Sequence, residues 1–111
     1  MLTIDKLNDF GANTSEGLKR CLNMESFYLD LVKTAMNDEQ LVKLGKAIEN
    51  NDYDQAFEIT HSLKGVYSNL SLTPLCEPIS EMTELFRSKT QADYKAMYDL
   101  VMQRFNEFCN L

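Results

Sequence analysis

Residues 52–70 read DYDQAFEITHSLKGVYSNL. Large or apolar side chains, with one threonine, recur there at steps of three and four, at Tyr53, Ala56, Thr60, Leu63, Tyr67 and Leu70. These steps predict an amphipathic helix that buries one face, and Asp52 with Gln55 three residues later predicts its N-cap. At about 100° per residue, His61 lies about 130° from the centre of that face. The only histidine of the chain is therefore predicted to face outward.

Three further residues lie within roughly 60° of His61 on the same helix, namely Lys64, Gly65 and Ser68. Lys64 supplies a cation, which would compensate a phosphoryl group but would oppose a bound metal ion. Gly65 costs about 1 kcal/mol of helix propensity relative to alanine, so its place in mid-helix indicates a packing or docking reason. An exposed imidazole acts as a base, a metal ligand or a nucleophile, and these neighbours favour a nucleophile for phosphoryl transfer, with Ser68 as a hydrogen-bond donor.

The rest of the chain reads as helices separated by short polar breaks, and no segment alternates with a period of two. Helices are predicted at residues 3–10, 14–22, 24–36, 38–50 and 90–108, and from Thr73 onward. Thr73 is the expected N-cap before Pro74, and Asn37 has a capping-box spacing to Gln40. Because Pro78 lacks an N–H, the helix after Thr73 is expected to start late or to kink.

This pattern predicts an all-α fold, an antiparallel bundle with short loops in a single domain over residues 1–111. The net charge is −6, with 11 basic and 17 acidic residues, which argues against a nucleic-acid-binding protein. The three cysteines show no Cys-x-x-Cys spacing and indicate reduced thiols. No signal peptide or membrane span is recognisable. A cytoplasmic protein is expected, and Met1 without a linker suggests a free-standing one.

The string His61-Ser62-Leu63-Lys64-Gly65, followed by Ser68-Asn69-Leu70, resembles the signature of histidine-containing phosphotransfer (HPt) domains of two-component phosphorelays. Gly17-Leu18-Lys19-Arg20 resembles an N-terminal segment of that family, Phe27-Tyr28-Leu29 its aromatic helix, and residues 47–53 the lead-in to the histidine helix. The resemblance extends over nearly the whole chain. Ser71 departs from the pattern, because the family often has glycine there, and Pro78 is also unusual.

The resemblance implies an up-and-down four-helix bundle with short N-terminal capping helices, in which the histidine helix is the second of the four. It also implies that His61 accepts the phosphoryl group, that Lys64 stabilises its charge and that Gly65 lets a receiver domain approach. The implied partners of this monomer are response-regulator receiver domains and a hybrid histidine kinase. The protein would have no kinase activity and no cofactor of its own, with Mg²⁺ held by the receiver. Phe57 and Glu58, beside His61, are expected partner contacts.

The sequence leaves two alternatives open. Glu58 and His61 have the Glu-x-x-His spacing of di-iron carboxylate bundles, but such a site needs two of these motifs, and Lys64 would oppose a dication. The second alternative is a non-catalytic helical adaptor, a degenerate HPt domain that binds a signalling partner. Six methionines and an exposed Phe57 would suit a deformable binding surface.

Overall fold

The computed structural model describes residues 1–111 and contains seven α-helices and no β-strand. In chain order the helices are α1 Ile4–Phe10, α2 Thr14–Arg20, α3 Glu25–Thr34, α4 Glu39–Glu49, α5 Tyr53–Asn69, α6 Thr73–Arg87 and α7 Tyr94–Cys109. The predicted all-α fold is confirmed. None of the seven helices combines the length and the apolar character that crossing a membrane requires.

The last four helices form an up-and-down bundle. Each of them packs against the next one in the chain, and α4 also contacts α7, which closes the ring. The connections are residues 50–52, 70–72 and 88–93, and such short loops make consecutive helices antiparallel neighbours. The helix that carries His61, α5, is the second of the four and packs most extensively against α6.

The three N-terminal helices cover the end of the bundle at which α5 and α7 finish. The backbone N–H of Asn13 donates to the carbonyl of Ser71 at 2.9 Å, and the buried hydroxyl of Tyr28 donates to the carbonyl of Leu70 at 2.8 Å. The rings of Phe10 and Phe108 lie with their centroids 5.6 Å apart. These contacts give α1–α3 the capping position that the HPt resemblance implies.

The buried face of α5 agrees with the predicted stripe. Tyr53 is half-buried, and the stripe residues that follow it are buried, namely Ala56, Thr60, Leu63, Tyr67 and Leu70. The Thr60 hydroxyl donates to the carbonyl of Ala56 at 2.9 Å, so a polar group inside the core has its partner. Asp52 is the N-cap, and its side chain accepts from the N–H of Gln55 at 3.2 Å.

The predicted start of α6 at a Thr73 cap is wrong. Leu72 is the N-cap and Thr73 is already helical, because the carbonyl of Leu72 accepts from Cys76 at 2.9 Å. The helix also does not start late, since it begins at Thr73 and includes Pro78. A side chain of α7, Arg104, supplies the hydrogen bond that Pro78 cannot donate to Pro74.

The predicted start of α7 is also wrong. Helix α7 begins at Tyr94 and not at Thr90, because the N–H of Thr90 donates to Leu85 and so completes the end of α6. The N-cap of α7 is Asp93, whose side chain accepts from the N–H of Ala96 at 3.1 Å.

The capping box expected at the start of α4 does not form. Asn37 accepts from the N–H of Glu39 at 2.9 Å and not from Gln40. The N-cap is therefore Asp38, whose carbonyl accepts from the N–H of Val42 at 2.9 Å.

Candidate functional site

His61 lies on the exposed side of α5, in agreement with the direction that the periodicity predicts. Its ring stacks on that of Phe57, one turn earlier, with centroids 5.6 Å apart and an interplanar angle of 20°. Phe57 itself is half-buried and packs against the core, so it is less exposed than the helical-adaptor alternative assumed. One face of the exposed imidazole therefore packs against the Phe57 ring.

Lys64 does not extend freely into solvent beside His61. Its Nζ lies 3.7 Å from Oε1 of Glu84 on α6, in an ion pair that is about half exposed. The other carboxylate oxygen of Glu84 lies 3.2 Å from Nε of Arg87. The guanidinium carbon of Arg87 in turn lies 4.9 Å from the centre of the Phe57 ring. A carboxylate and two cations therefore lie where α5 meets α6, next to the helical neighbours of His61.

The sequence does not indicate that Glu84 and Arg87 lie near Lys64. Their spacing of three residues is a recognisable signal of an ion pair on one helix. Nothing in the order of residues, however, says that this pair would lie opposite Lys64, because that depends on how α5 and α6 pack.

Gly65 has an empty space where a side chain would be. A Cβ atom built on it meets no atom within 4 Å. Gly17 and Gly45 differ, since a Cβ on either would come within 3 Å of the side chain of Tyr28 or Tyr98. The packing of this chain therefore requires glycine at positions 17 and 45 but gives no reason for it at position 65.

Ser68 is exposed on the same face of α5 and borders a groove of about 400 Å³. Its carbonyl accepts a hydrogen bond from Arg20 of α2 at 2.8 Å. Most of the residues that line the groove are polar; besides Ser68 they are Glu16, Arg20, Tyr67, Ser71, Thr73, Cys76, Glu77 and Ser80. Burial raises the pKa of the Tyr67 phenol, with a smaller effect from Cys109, so this hydroxyl stays neutral beside the groove.

Glu58 is exposed on α5 three residues before His61. The structure contains no group of three or more His, Cys, Asp or Glu side chains arranged to hold a metal ion. A di-iron site needs a second Glu-x-x-His motif beside Glu58 and His61. This chain does not provide one, so the di-iron interpretation lacks a ligand set.

Comparison with known families matches residues 33–109 to the family model described as the Hpt domain. The matched segment begins at the end of α3 and covers all four bundle helices, including His61, Lys64 and Gly65. Comparison with curated proteins and with solved structures finds no match.

Proposed function

Because the chain belongs to the Hpt domain family, we propose that it is a phosphocarrier that bears the phosphoryl group on His61. Membership of the family implies histidine phosphotransfer in two-component signalling. The observation that carries the choice of residue is that the only histidine of the chain lies exposed in mid-helix, within the matched segment.

The proposed step is an in-line displacement at phosphorus. One nitrogen of the neutral imidazole attacks the phosphorus of an aspartyl phosphate on a receiver domain. A P–N bond forms, the acyl P–O bond breaks and the aspartate leaves as a carboxylate, while the other ring nitrogen gives up its proton to solvent. The aspartate of a second receiver then reverses these bond changes. Such transfer depends on positioning and on charge compensation, and the receiver would supply Mg²⁺.

Three neighbours of His61 are assigned supporting roles. Lys64, one helical turn away, compensates the charge of the phosphoryl oxygens. Gly65 leaves room for the receiver, which the empty space around its Cα supports. The hydroxyl of Ser68, exposed two turns from His61, is the hydrogen-bond donor for an oxygen of the incoming group.

The proposed partners are response-regulator receiver domains and a hybrid histidine kinase, since family members carry phosphoryl groups and are not kinases. Phe57 and Glu58 are the proposed partner contacts. Phe57 offers part of its ring beside the histidine, and Glu58 an exposed carboxylate. In this proposal the protein acts in the cytoplasm as a monomer, and size-exclusion chromatography checks the latter.

The test is phosphate uptake from a phosphorylated receiver. The wild-type protein should acquire phosphate that is labile in acid and stable in base, and His61→Gln should acquire none. Because His61 is exposed, the variant should keep the helical circular dichroism and the melting temperature of the wild type. Label retained by His61→Gln, or no label on the wild type with any receiver of the host, would refute the proposal. Receiver binding without any label would instead favour the adaptor.

A further inference from the structure

One carboxylate, that of Glu84, is shared between two cations beside the histidine. Its Oε1 lies 3.7 Å from Nζ of Lys64, and its Oε2 lies 3.2 Å from Nε of Arg87. Lys64 belongs to α5 and is a helical neighbour of His61, whereas Glu84 and Arg87 belong to α6. The lysine that should compensate the phosphoryl charge is therefore already paired with a carboxylate from another helix.

We propose that Glu84 is a positioning residue that holds Lys64 while His61 is unmodified and competes with the phosphoryl group for it afterwards. This inference rests on the proposed function, because it concerns the charge that arrives on His61. A phosphoryl group carries close to two negative charges at neutral pH, so it attracts Lys64 more strongly than a single carboxylate does. Lys64 would turn from Glu84 toward His61 when the group is transferred.

The exchange of partners costs little in this structure, for two reasons. The Lys64 side chain is 38% exposed and that of Glu84 57% exposed, and solvent screening makes such pairs weak. In addition, Glu84 keeps Arg87 as its partner when Lys64 leaves, so no carboxylate is left without a counter-ion. Glu84 thereby lowers the tendency of His61 to retain the phosphoryl group and favours its return to a receiver.

The direct test is the phosphotransfer equilibrium between a receiver aspartate and His61. Glu84→Gln should shift this equilibrium toward phosphorylated His61 by about two- to fivefold, the range that screening leaves to exposed charges. Glu81→Gln is the matched control. Glu81 lies one helical turn before Glu84, is also exposed and forms no ion pair, so the variant removes the same charge without freeing Lys64. It should shift the equilibrium much less. Equal shifts in the two variants would overturn the proposal.

A second comparison separates competition for Lys64 from simple repulsion between Glu84 and the phosphoryl group. In a Lys64→Ala background, Glu84→Gln should lose most of its effect, because there is no lysine left to release. An effect of the same size with and without Lys64 would show that Glu84 acts by repulsion alone, and the proposal would be wrong.

Phosphoramidate makes the test independent of receivers. It transfers its phosphoryl group to an exposed imidazole with loss of ammonia, and ³¹P NMR then follows the titration of the phosphoryl oxygens. Freed Lys64 should lower their pKa in Glu84→Gln more than in Glu81→Gln, and only when Lys64 is present. A chain that shows this pattern but takes no phosphate from any receiver would contradict the proposed function alone. Normal transfer from receivers without this pattern would contradict the role of Glu84 alone.

Discussion

The guanidinium of Arg104 on α7 donates a 2.8 Å hydrogen bond to the backbone carbonyl of Pro74 on α6. Four residues after Pro74 stands Pro78, which has no N–H and leaves that carbonyl without its helical donor. Arg104 thus replaces the missing bond from outside the helix. This contact explains how α6 accommodates a proline in its second turn, and it ties α6 to α7.

Arg104→Met should lower the free energy of unfolding by about 1–2 kcal/mol, because a partly buried carbonyl loses its donor. In a Pro78→Ala background the cost should be smaller, since the N–H of residue 78 can then donate to Pro74. Urea unfolding of the four proteins measures the coupling. Equal costs in the two backgrounds would contradict this role of Arg104.

Ser71 has a φ of 55°, a left-handed conformation that costs a non-glycine residue about 1–2 kcal/mol. Its hydroxyl accepts from Arg20 at 2.8 Å, a bond that offsets part of this cost and that glycine would not make. Ser71→Gly should change the free energy of unfolding by less than about 0.5 kcal/mol, because relief of strain and loss of the bond offset each other. In an Arg20→Met background the same change should stabilise by about 1 kcal/mol. A large loss of stability in that background would show that Ser71 has another partner.

Gly65→Ala should stabilise the protein by up to about 1 kcal/mol, because alanine is the better helix former and its Cβ meets no atom within 4 Å. Gly45→Ala should destabilise it, since a Cβ there lies 2.7 Å from the hydroxyl of Tyr98. Thermal unfolding of both variants shows whether each substitution raises or lowers the melting temperature.

Gly65→Gln should slow transfer from a receiver and leave uptake from phosphoramidate unchanged. Undiminished transfer to that variant would remove the proposed role of Gly65 in partner access.

Lys64→Ala should slow phosphotransfer to His61, because the developing charge loses the cation that lies one helical turn away. Stability should change by less than about 1 kcal/mol, since the pair with Glu84 is exposed and alanine favours the helix. Single-turnover transfer from a phosphorylated receiver measures the rate, and Lys43→Ala on α4 is a control that also breaks an exposed ion pair. If Lys64→Ala transfers as fast as Lys43→Ala, the lysine has no part in the reaction.

Alkaline pH should destabilise the fold. Burial, with a smaller effect of Cys21, raises the pKa of Tyr28 to about 12 from its ordinary value of 10. The native state therefore keeps a proton that the unfolded chain loses. The resulting stability is fully present below pH 10 and is lost as the pH rises toward 12, at up to about 1.4 kcal/mol per pH unit for each such group.

Tyr28→Phe should remove the share of this alkaline slope that Tyr28 contributes. It should also lower stability at neutral pH, because the carbonyl of Leu70 loses its donor. Urea unfolding between pH 8 and pH 12 measures both effects. A slope as steep as that of the wild type would assign the alkaline transition to other groups, such as Tyr67, whose pKa burial also raises.

Much of the fold follows from local patterns. The repeat of apolar residues predicted the buried face of α5 and the outward direction of His61, and Asp52 predicted the start of that helix. The starts of α6 and α7 were predicted less well. Threonine is a residue type that often begins a helix, but the N–H of Thr90 donates to the carbonyl of Leu85 and closes α6. The packing of the two helices decides which of them Thr90 joins.

Helix periodicity is enough to say which residues share a face with His61, since a helix repeats every 3.6 residues whatever surrounds it. Which residues of different helices come into contact depends on the tertiary packing. Glu84 lies beside Lys64, Arg20 beside the end of α5, and Arg104 beside Pro74. These contacts join residues 20 or more positions apart, and their register depends on how whole helices pack against one another, which no local spacing encodes.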